Sequence, residues 1–223
     1  IIGIETDDDG MDPDLLRSAM ARHKIELLLH QPHANNPSGH SMTYERELEL
    51  SKIIQTSNAY IVEIDHSFGI HTGDPTTLGR HFPDRTLYVR GFSKAYGPDL
   101  RMASVAGPTK LINPLIQQRQ LGPSWTSRLL QSLLLFLLSD ENSQRTVAFA
   151  KQQYAYRREN LLAELKKREV EVRGKTGTNI WVSVKNENNA LMYLALQGII
   201  ATPGSAFKPR STNQQHIRIA CGQ

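Results

Sequence analysis

The 223-residue sequence contains a single cysteine, Cys221. One thiol cannot close an internal disulfide, so a disulfide framework is excluded, and a reducing, cytoplasmic setting is the expectation. Long apolar runs are also missing. The richest stretch, Leu129 to Leu138, is interrupted by Gln131 and Ser132 and falls short of the about 20 residues that span a bilayer. It reads as a core or dimer-face helix, and no membrane partner is expected. Blocks of like charge are absent too. The 26 Lys and Arg against 22 Asp and Glu leave a net charge of only +4, too small and too mixed for a nucleic-acid arm. Arg157, Arg158, Lys166, Lys167 and Arg168 read as a solvated helix face. There is no internal repeat or low-complexity tract, and no HExxH or Cys/His spacing that would hold zinc. What is present is 39 % apolar residues, enough to bury a core and to exclude disorder as the main state.

The chain alternates strand and helix signals. Ile1–Glu5 reads as a strand. Asp12-Pro13 marks a helix start, with Asp as cap and Pro at the first helical position, and Leu15, Leu16, Ala19 and Met20 supply the apolar stripe. The run IELLLH (25–30) predicts a strand buried on both faces of a parallel sheet. Thr43 caps the next helix, whose buried face is Leu50, Ile53 and Ile54. AYIVEID (59–65), TLYVRGF (86–92) and MASVAG (102–107) read as strands. A helical pattern runs from Leu111 to about Arg168, with breaks at Gly122-Pro123 and Ser139-Asp140. NIWVSV (179–184), GIIATPG (198–204) and HIRIAC (216–221) read as strands again. This order predicts an α/β domain with a mostly parallel sheet flanked by helices, followed by a smaller α+β C-terminal domain. The opening on a strand-like run and the close just after another predict a chain truncated at both ends. The expected division is a partial large domain over 1–122, a helical link over 123–168 and a partial small domain over 169–223.

In a parallel sheet, ligands sit beyond the carboxyl ends of the strands. Three predicted strand ends carry informative residues: Asn35-Asn36-Pro37-Ser38-Gly39, then Asp65, then Ser93-Lys94 with Arg101 seven residues on. Taken singly, each has an ordinary reading as a turn, a cap or a solvated charge. Together they suit pyridoxal phosphate. A lysine amine forms a Schiff base with the cofactor aldehyde. A carboxylate pairs with the ring nitrogen and keeps the ring an electron sink. An amide donates to the ring hydroxylate, and an arginine fork binds the phosphate.

These residues resemble a known family. Asn36-Pro37-Ser38-Gly39 is similar to the NPTG signature of fold-type I aminotransferases, and Ser93 to Arg101 to their SKxxxPxxR segment. The resemblance implies that Lys94 is the Schiff-base lysine and Arg101 a phosphate ligand. It also implies that Asp65 lies under the ring nitrogen, that Asn36, Phe68 and Ser93 line the cofactor, and that Arg218 grips a substrate carboxylate. SKAYGPDLRMA, LGPSWTSRLLQSLL, YAYRRENLLAEL and GTNIWVSV further resemble the aminotransferase-like domain of MocR-type regulators in the GntR superfamily. That likeness implies an effector domain that dimerises and binds an amino acid or a vitamin B6-type small molecule. DNA would be contacted only through a winged-helix domain upstream of this chain.

The sequence departs from the enzyme pattern at two positions. The tyrosine usual three residues after the ring aspartate is Phe68, and the hydroxyl residue often three before the lysine is Gly91. The alternative to a regulator is a working aminotransferase acting on an amino acid and a 2-oxo acid, with Lys94 as proton carrier. A third reading takes GFSKA (91–95) as a degenerate nucleophile elbow of a hydrolase using Ser93, a later Asp and His216. It leaves Lys94 and the NPSG loop without a role.

Overall fold

The computed structural model describes residues 1–73, 75–122, 124–208 and 214–222. The chain begins with a minimal antiparallel pair, β1 (Thr6–Asp7) and β2 (Gly10–Met11). The strand expected over Ile1–Glu5 does not form. Ladder pairing starts only at Thr6, where the Asp7 carboxylate takes the Asp9 N–H at 2.8 Å and folds the turn. Helix α1 (Pro13–Arg22) starts as expected: the Asp12 carboxylate accepts the N–H groups of Asp14 and Leu15, with Pro13 behind it. Helix α2 (Tyr44–Ile54) is capped by the Thr43 hydroxyl, which accepts the Arg46 N–H at 3.2 Å.

The central sheet orders β3 (Leu27–His30), β4 (Tyr60–Asp65), β5 (Thr86–Gly91) and β6 (Ala103–Ala106) side by side. The first three are parallel, and β6 returns antiparallel to β5. The link from β5 to β6 holds only the short helix α3 (Ser93–Tyr96) and a 3₁₀ turn. A parallel crossover takes about a dozen residues or more, so the chain turns back. Leu16, Leu50 and Ile54 of α1 and α2 cover one sheet face through Leu28 and Ile61. The other face departs from expectation. Leu27 and Leu29 are 55 % and 62 % exposed and Tyr60 is exposed beside them, so β3 is buried on one side only. One face of the run carries Ile25, Leu27 and Leu29 and the other Glu26, Leu28 and His30, and it is the second, more polar face that is buried, at Leu28 and His30.

Helix α4 (Thr109–Gln120) precedes α5 (Arg128–Ser139) and α6 (Glu141–Lys166). Pro123, the expected break, lies outside the described residues. The break at Ser139-Asp140 forms as read, with the Asp140 carboxylate accepting the Ser143 N–H at 2.8 Å. Leu134 of α5 packs on Phe92 and Leu100 and so braces the segment that contains Lys94. Among the described residues, no helix is long and apolar enough to cross a membrane.

A second sheet orders β7 (Val172–Arg173), β8 (Asn179–Val184), β10 (Gln215–Ala220) and β9 (Thr202–Pro203), all antiparallel. Helix α7 (Glu187–Leu196) connects β8 to β9. Its core is Ile180, Val182, Ile217 and Cys221, closed by Leu161, Leu162 and Leu165 of α6. The strand expected over 198–204 shrinks to two residues at a sheet edge. Pro203 has no N–H for a second ladder, and Ile200 is bare to solvent.

Three histidines, His30, His33 and His40, are buried on the inner side of the first sheet and its loop. Burial pushes His30 down to about 3 and His33 and His40 down to about 4. All three folded-state values lie below the ordinary 6.5. The unfolded chain therefore takes up protons as pH falls through that value while the folded chain does not. Stability present above pH 6.5 is lost toward pH 4, at about 1.4 kcal/mol per pH unit for each histidine. Urea titrations at pH 7.5, 6 and 5 are expected to show this slope. His30→Leu, which removes a ring whose Nε2 has no partner, is expected to flatten it. A slope unchanged in that variant would contradict a neutral His30.

Candidate functional site

Strands β4 and β5 run parallel with Asp65 opposite Arg90, so Asp65 and the Ser93-Lys94 pair emerge at the same edge of the sheet. Asp65 is buried, at 2 % exposure. Its Oδ1 accepts the Ser67 N–H at 3.0 Å and the Ser67 hydroxyl at 3.2 Å. Its Oδ2 accepts the Tyr88 hydroxyl at 2.6 Å and lies 3.9 Å from Arg90 Nε. Burial, then the hydrogen bond to Asp65, pushes the Tyr88 phenol up to about 12, which keeps it a proton donor.

Asn36 and Arg218 meet although 182 residues separate them: Arg218 Nη1 donates to Asn36 Oδ1 at 2.7 Å. Nη2 of the same arginine donates to Thr202 Oγ1 at 3.1 Å, and its guanidinium lies 4.9 Å from the Phe207 ring centre. The Asn36 oxygen is thus occupied, and its NH₂ is left as the donor for a ligand. Pro37 follows Asn36 through a cis peptide bond. The loop closes at Gly39, whose φ is +65° and where a Cβ would sit 2.7 Å from the Asn179 carbonyl. Thr176 N–H donates to Gly39 O at 3.0 Å, and Gly177 lies against Ala34 with no room for a Cβ. The NPSG loop is therefore seated directly on the second sheet, which is what brings Arg218 to Asn36.

Lys94 and Arg101 are both exposed. Neither side chain has a hydrogen bond or an ion pair among the described residues. Arg101 adopts a left-handed backbone, φ 47° and ψ 39°, at the end of the segment braced by Leu134. Phe68 does not stand free: the Arg90 guanidinium covers its ring at 4.0 Å and Phe92 meets it edge-on at 6.1 Å. Gly91 also has a local reason. A Cβ there would lie 2.9 Å from His66 Nδ1.

Sequence reading missed Ser67, Tyr88 and Arg90. The signal was available in part, because Tyr88 and Arg90 alternate along β5 and point to one face of the strand. It needed the register to put them beside Asp65. His33 and His71 were missed as well. Their rings stack at 4.6 Å with 4° between planes, next to Ser67, whose hydroxyl donates to His33 O at 3.4 Å. A hollow of about 670 Å³ lies at the opposite end of the sheet, along Leu27 and Tyr60, away from this cluster.

Comparison with known proteins places this geometry. The family model for aminotransferase class I and II matches residues 4–223. The chain belongs to that family. The chain is 28 % identical over 206 residues to the vitamin B6 salvage pathway transcriptional repressor PtsJ of Salmonella typhimurium, covering 92 % of this chain and 48 % of the repressor. It is 30 % identical over 158 residues to the mitochondrial kynurenine/alpha-aminoadipate aminotransferase of Bos taurus, covering 63 % of this chain and 37 % of that enzyme. The fold superposes on the alpha-aminoadipate aminotransferase LysN of Thermus thermophilus with a TM-score of 0.88 at 20 % identity, over 99 % of this chain and 60 % of that one. The chain thus spans about half the length of the PtsJ repressor it matches.

Membership of the aminotransferase family implies pyridoxal 5′-phosphate as cofactor. The residues present fit that group. An amine and a guanidinium, both without partners among the described residues, suit an aldehyde carbon and a phosphate, a buried carboxylate suits a ring nitrogen, and an amide with its NH₂ left as a donor suits a ring hydroxylate. The seating of the aminotransferase NPSG loop is testable apart from any ligand. Gly39→Ala is expected to cost about 1–2 kcal/mol from left-handed strain alone, with the clash against the Asn179 carbonyl adding to it. It should also break the Asn36–Arg218 contact. Gly122→Ala, where a Cβ meets only open space and one carbonyl at 4.0 Å, is the matched control. Equal melting temperatures for the two variants would refute the close approach.

Proposed function

We propose that this chain is the pyridoxal-phosphate-binding, aminotransferase-like effector region of a MocR/GntR-type transcriptional regulator. The observation that carries the reading is the similarity to the PtsJ repressor along 92 % of this chain. The site supports it. The positions where the enzyme pattern carries hydroxyls are Phe68 and Gly91, and Arg90 and His66 occupy the space beside them. When bound, pyridoxal phosphate supplies an aldehyde that captures amines and a ring that withdraws electrons.

The residues divide the work. Lys94 Nζ is the attachment amine, presented at the start of α3. Arg101, held in its left-handed turn, binds phosphate oxygens, with Ser93 beside it. Asp65 faces the ring nitrogen. Asn36 donates from its free NH₂ to the ring hydroxylate, and Phe68 lines the cofactor's surroundings. Arg218 receives the carboxylate of an incoming amino acid or related small molecule, oriented by its bonds to Asn36 and Thr202. In this reading the protein works as a cytoplasmic homodimer and contacts DNA through a domain outside this chain. A second reading, a working transaminase, draws on the similarity to the bovine aminotransferase. Lys94 Nζ would then also carry the proton to and from the substrate carbon.

Borohydride reduction after addition of pyridoxal phosphate, followed by peptide mass mapping, is expected to place the adduct on Lys94. Lys94→Ala is expected to abolish it with the circular-dichroism spectrum unchanged. Unfolding of that variant would make Lys94 structural, and an adduct elsewhere would overturn the assignment. Asp65→Asn is expected to slow reaction with amino acids more than it weakens cofactor binding. Stoichiometric 2-oxo acid from an amino donor would favour the enzyme over the regulator.

A further inference from the structure

The Asp65 carboxylate is engaged beyond what a ring-binding residue needs. Both oxygens already accept hydrogen bonds, from Ser67 on Oδ1 and from Tyr88 on Oδ2. The Tyr88 oxygen in turn accepts from Arg90 Nη2 at 3.4 Å, while Arg90 Nε lies 3.9 Å from the same Oδ2. Arg90 is held in place by aromatic faces, 4.0 Å from the Phe68 ring centre and 5.3 Å from that of Tyr88. The remaining groups that face Asp65 are the imidazoles of His33 and His71, both kept toward the neutral form by burial. The arrangement follows from the sheet. Asp65 is in register with Arg90, and Tyr88 lies two residues back on the same strand face.

A 2.6 Å bond from a hydroxyl to a carboxylate falls among the short, charge-assisted ones. Each such donor draws charge from the oxygen it meets and leaves less for a second donor. We propose that Tyr88 and Arg90 are positioning residues that occupy Asp65 Oδ2, so that a pyridine-type ring nitrogen meets a weakened anion. The ring is then held without being driven fully to its protonated, electron-withdrawing form. This rests on the Asp65 role proposed above and gives it a direction: the site is built for holding the ligand more than for turning it over.

Two readouts test it. In the ligand-free protein, the Asp65 carboxylate infrared band is isolated as the difference from Asp65→Asn. It is expected to move in Tyr88→Phe, and to move less in Arg90→Gln. A band unmoved in both overturns the proposal. In protein loaded with ¹⁵N-labelled 4′-deoxypyridoxine phosphate, which cannot react with Lys94, the ring-nitrogen shift reports protonation. The protonated-to-neutral ratio is expected to rise on the order of tenfold in Tyr88→Phe, the equivalent of one charged-group hydrogen bond. An unchanged or lower ratio overturns the proposal. If Tyr88→Phe does not fold, Arg90→Gln decides by the same sign. If the infrared band moves but the ring signal ignores Asp65→Asn, the Asp65 cofactor role fails and the ring-nitrogen half of the proposal fails with it.

Discussion

Parallel pairing of β4 with β5 is the constraint on which the site depends. It aligns Asp65 with Arg90 and ends both strands at one edge. Everything downstream of that edge inherits its position: the Ser67 turn, α3 with Lys94, and the braced segment that ends in Arg101. A slip of one residue would send Asp65 to the opposite face of the sheet. That face is the apolar one, where Leu27, Leu29 and Tyr60 lie exposed. The register is therefore fixed by side-chain pairing as well as by backbone hydrogen bonding, because a slipped Asp65 would lose the Tyr88 hydroxyl as a donor.

The inner face of the same sheet is unusually polar. Glu47 and Glu63 are both fully buried. Glu63 accepts from Leu78 N–H at 2.8 Å and from the Thr77 hydroxyl, and Glu47 accepts from Thr77 N–H at 2.9 Å and contacts His81 Nε2 at 2.8 Å. Burial pushes the Glu63 carboxyl up despite those donors. Together the two carboxylates fasten the loop after β4 to strand and helix. That loop has at its other end Ser67 and His71, so the polar interior and the Asp65 site are one connected structure. Buried polar groups of this kind cost stability unless satisfied, and here nearly every carboxylate oxygen has a donor.

The second sheet contributes by position. Its β10 brings Arg218, and its 174–179 segment presses on the NPSG loop at Gly39 and Gly177. Arg173 and Lys175 add bonds to Thr6 O and Asp9, at 2.8 and 2.7 Å. These contacts join the second sheet to the NPSG loop and to the N-terminal hairpin.

The sequence by itself determined the strand–helix alternation, the caps at Asp12, Thr43 and Asp140, and the residue types at the strand ends. Those are local properties: turn chemistry, capping and hydrophobic period act over a few neighbours. It also carried the family, because Ser93 to Arg101 compresses a lysine and an arginine into one short segment. Tertiary structure decided the rest. In β3 the more apolar side, Leu27 and Leu29, is the one left exposed, and only packing selected the side of Leu28 and His30 for burial. Tyr88 and Arg90 look like ordinary strand residues until the register sets them against Asp65. Asn36 and Arg218 lie 182 residues apart, and no local signal links them. Their meeting follows from a glycine-tight contact between a loop and a distant sheet, a property of the folded chain alone.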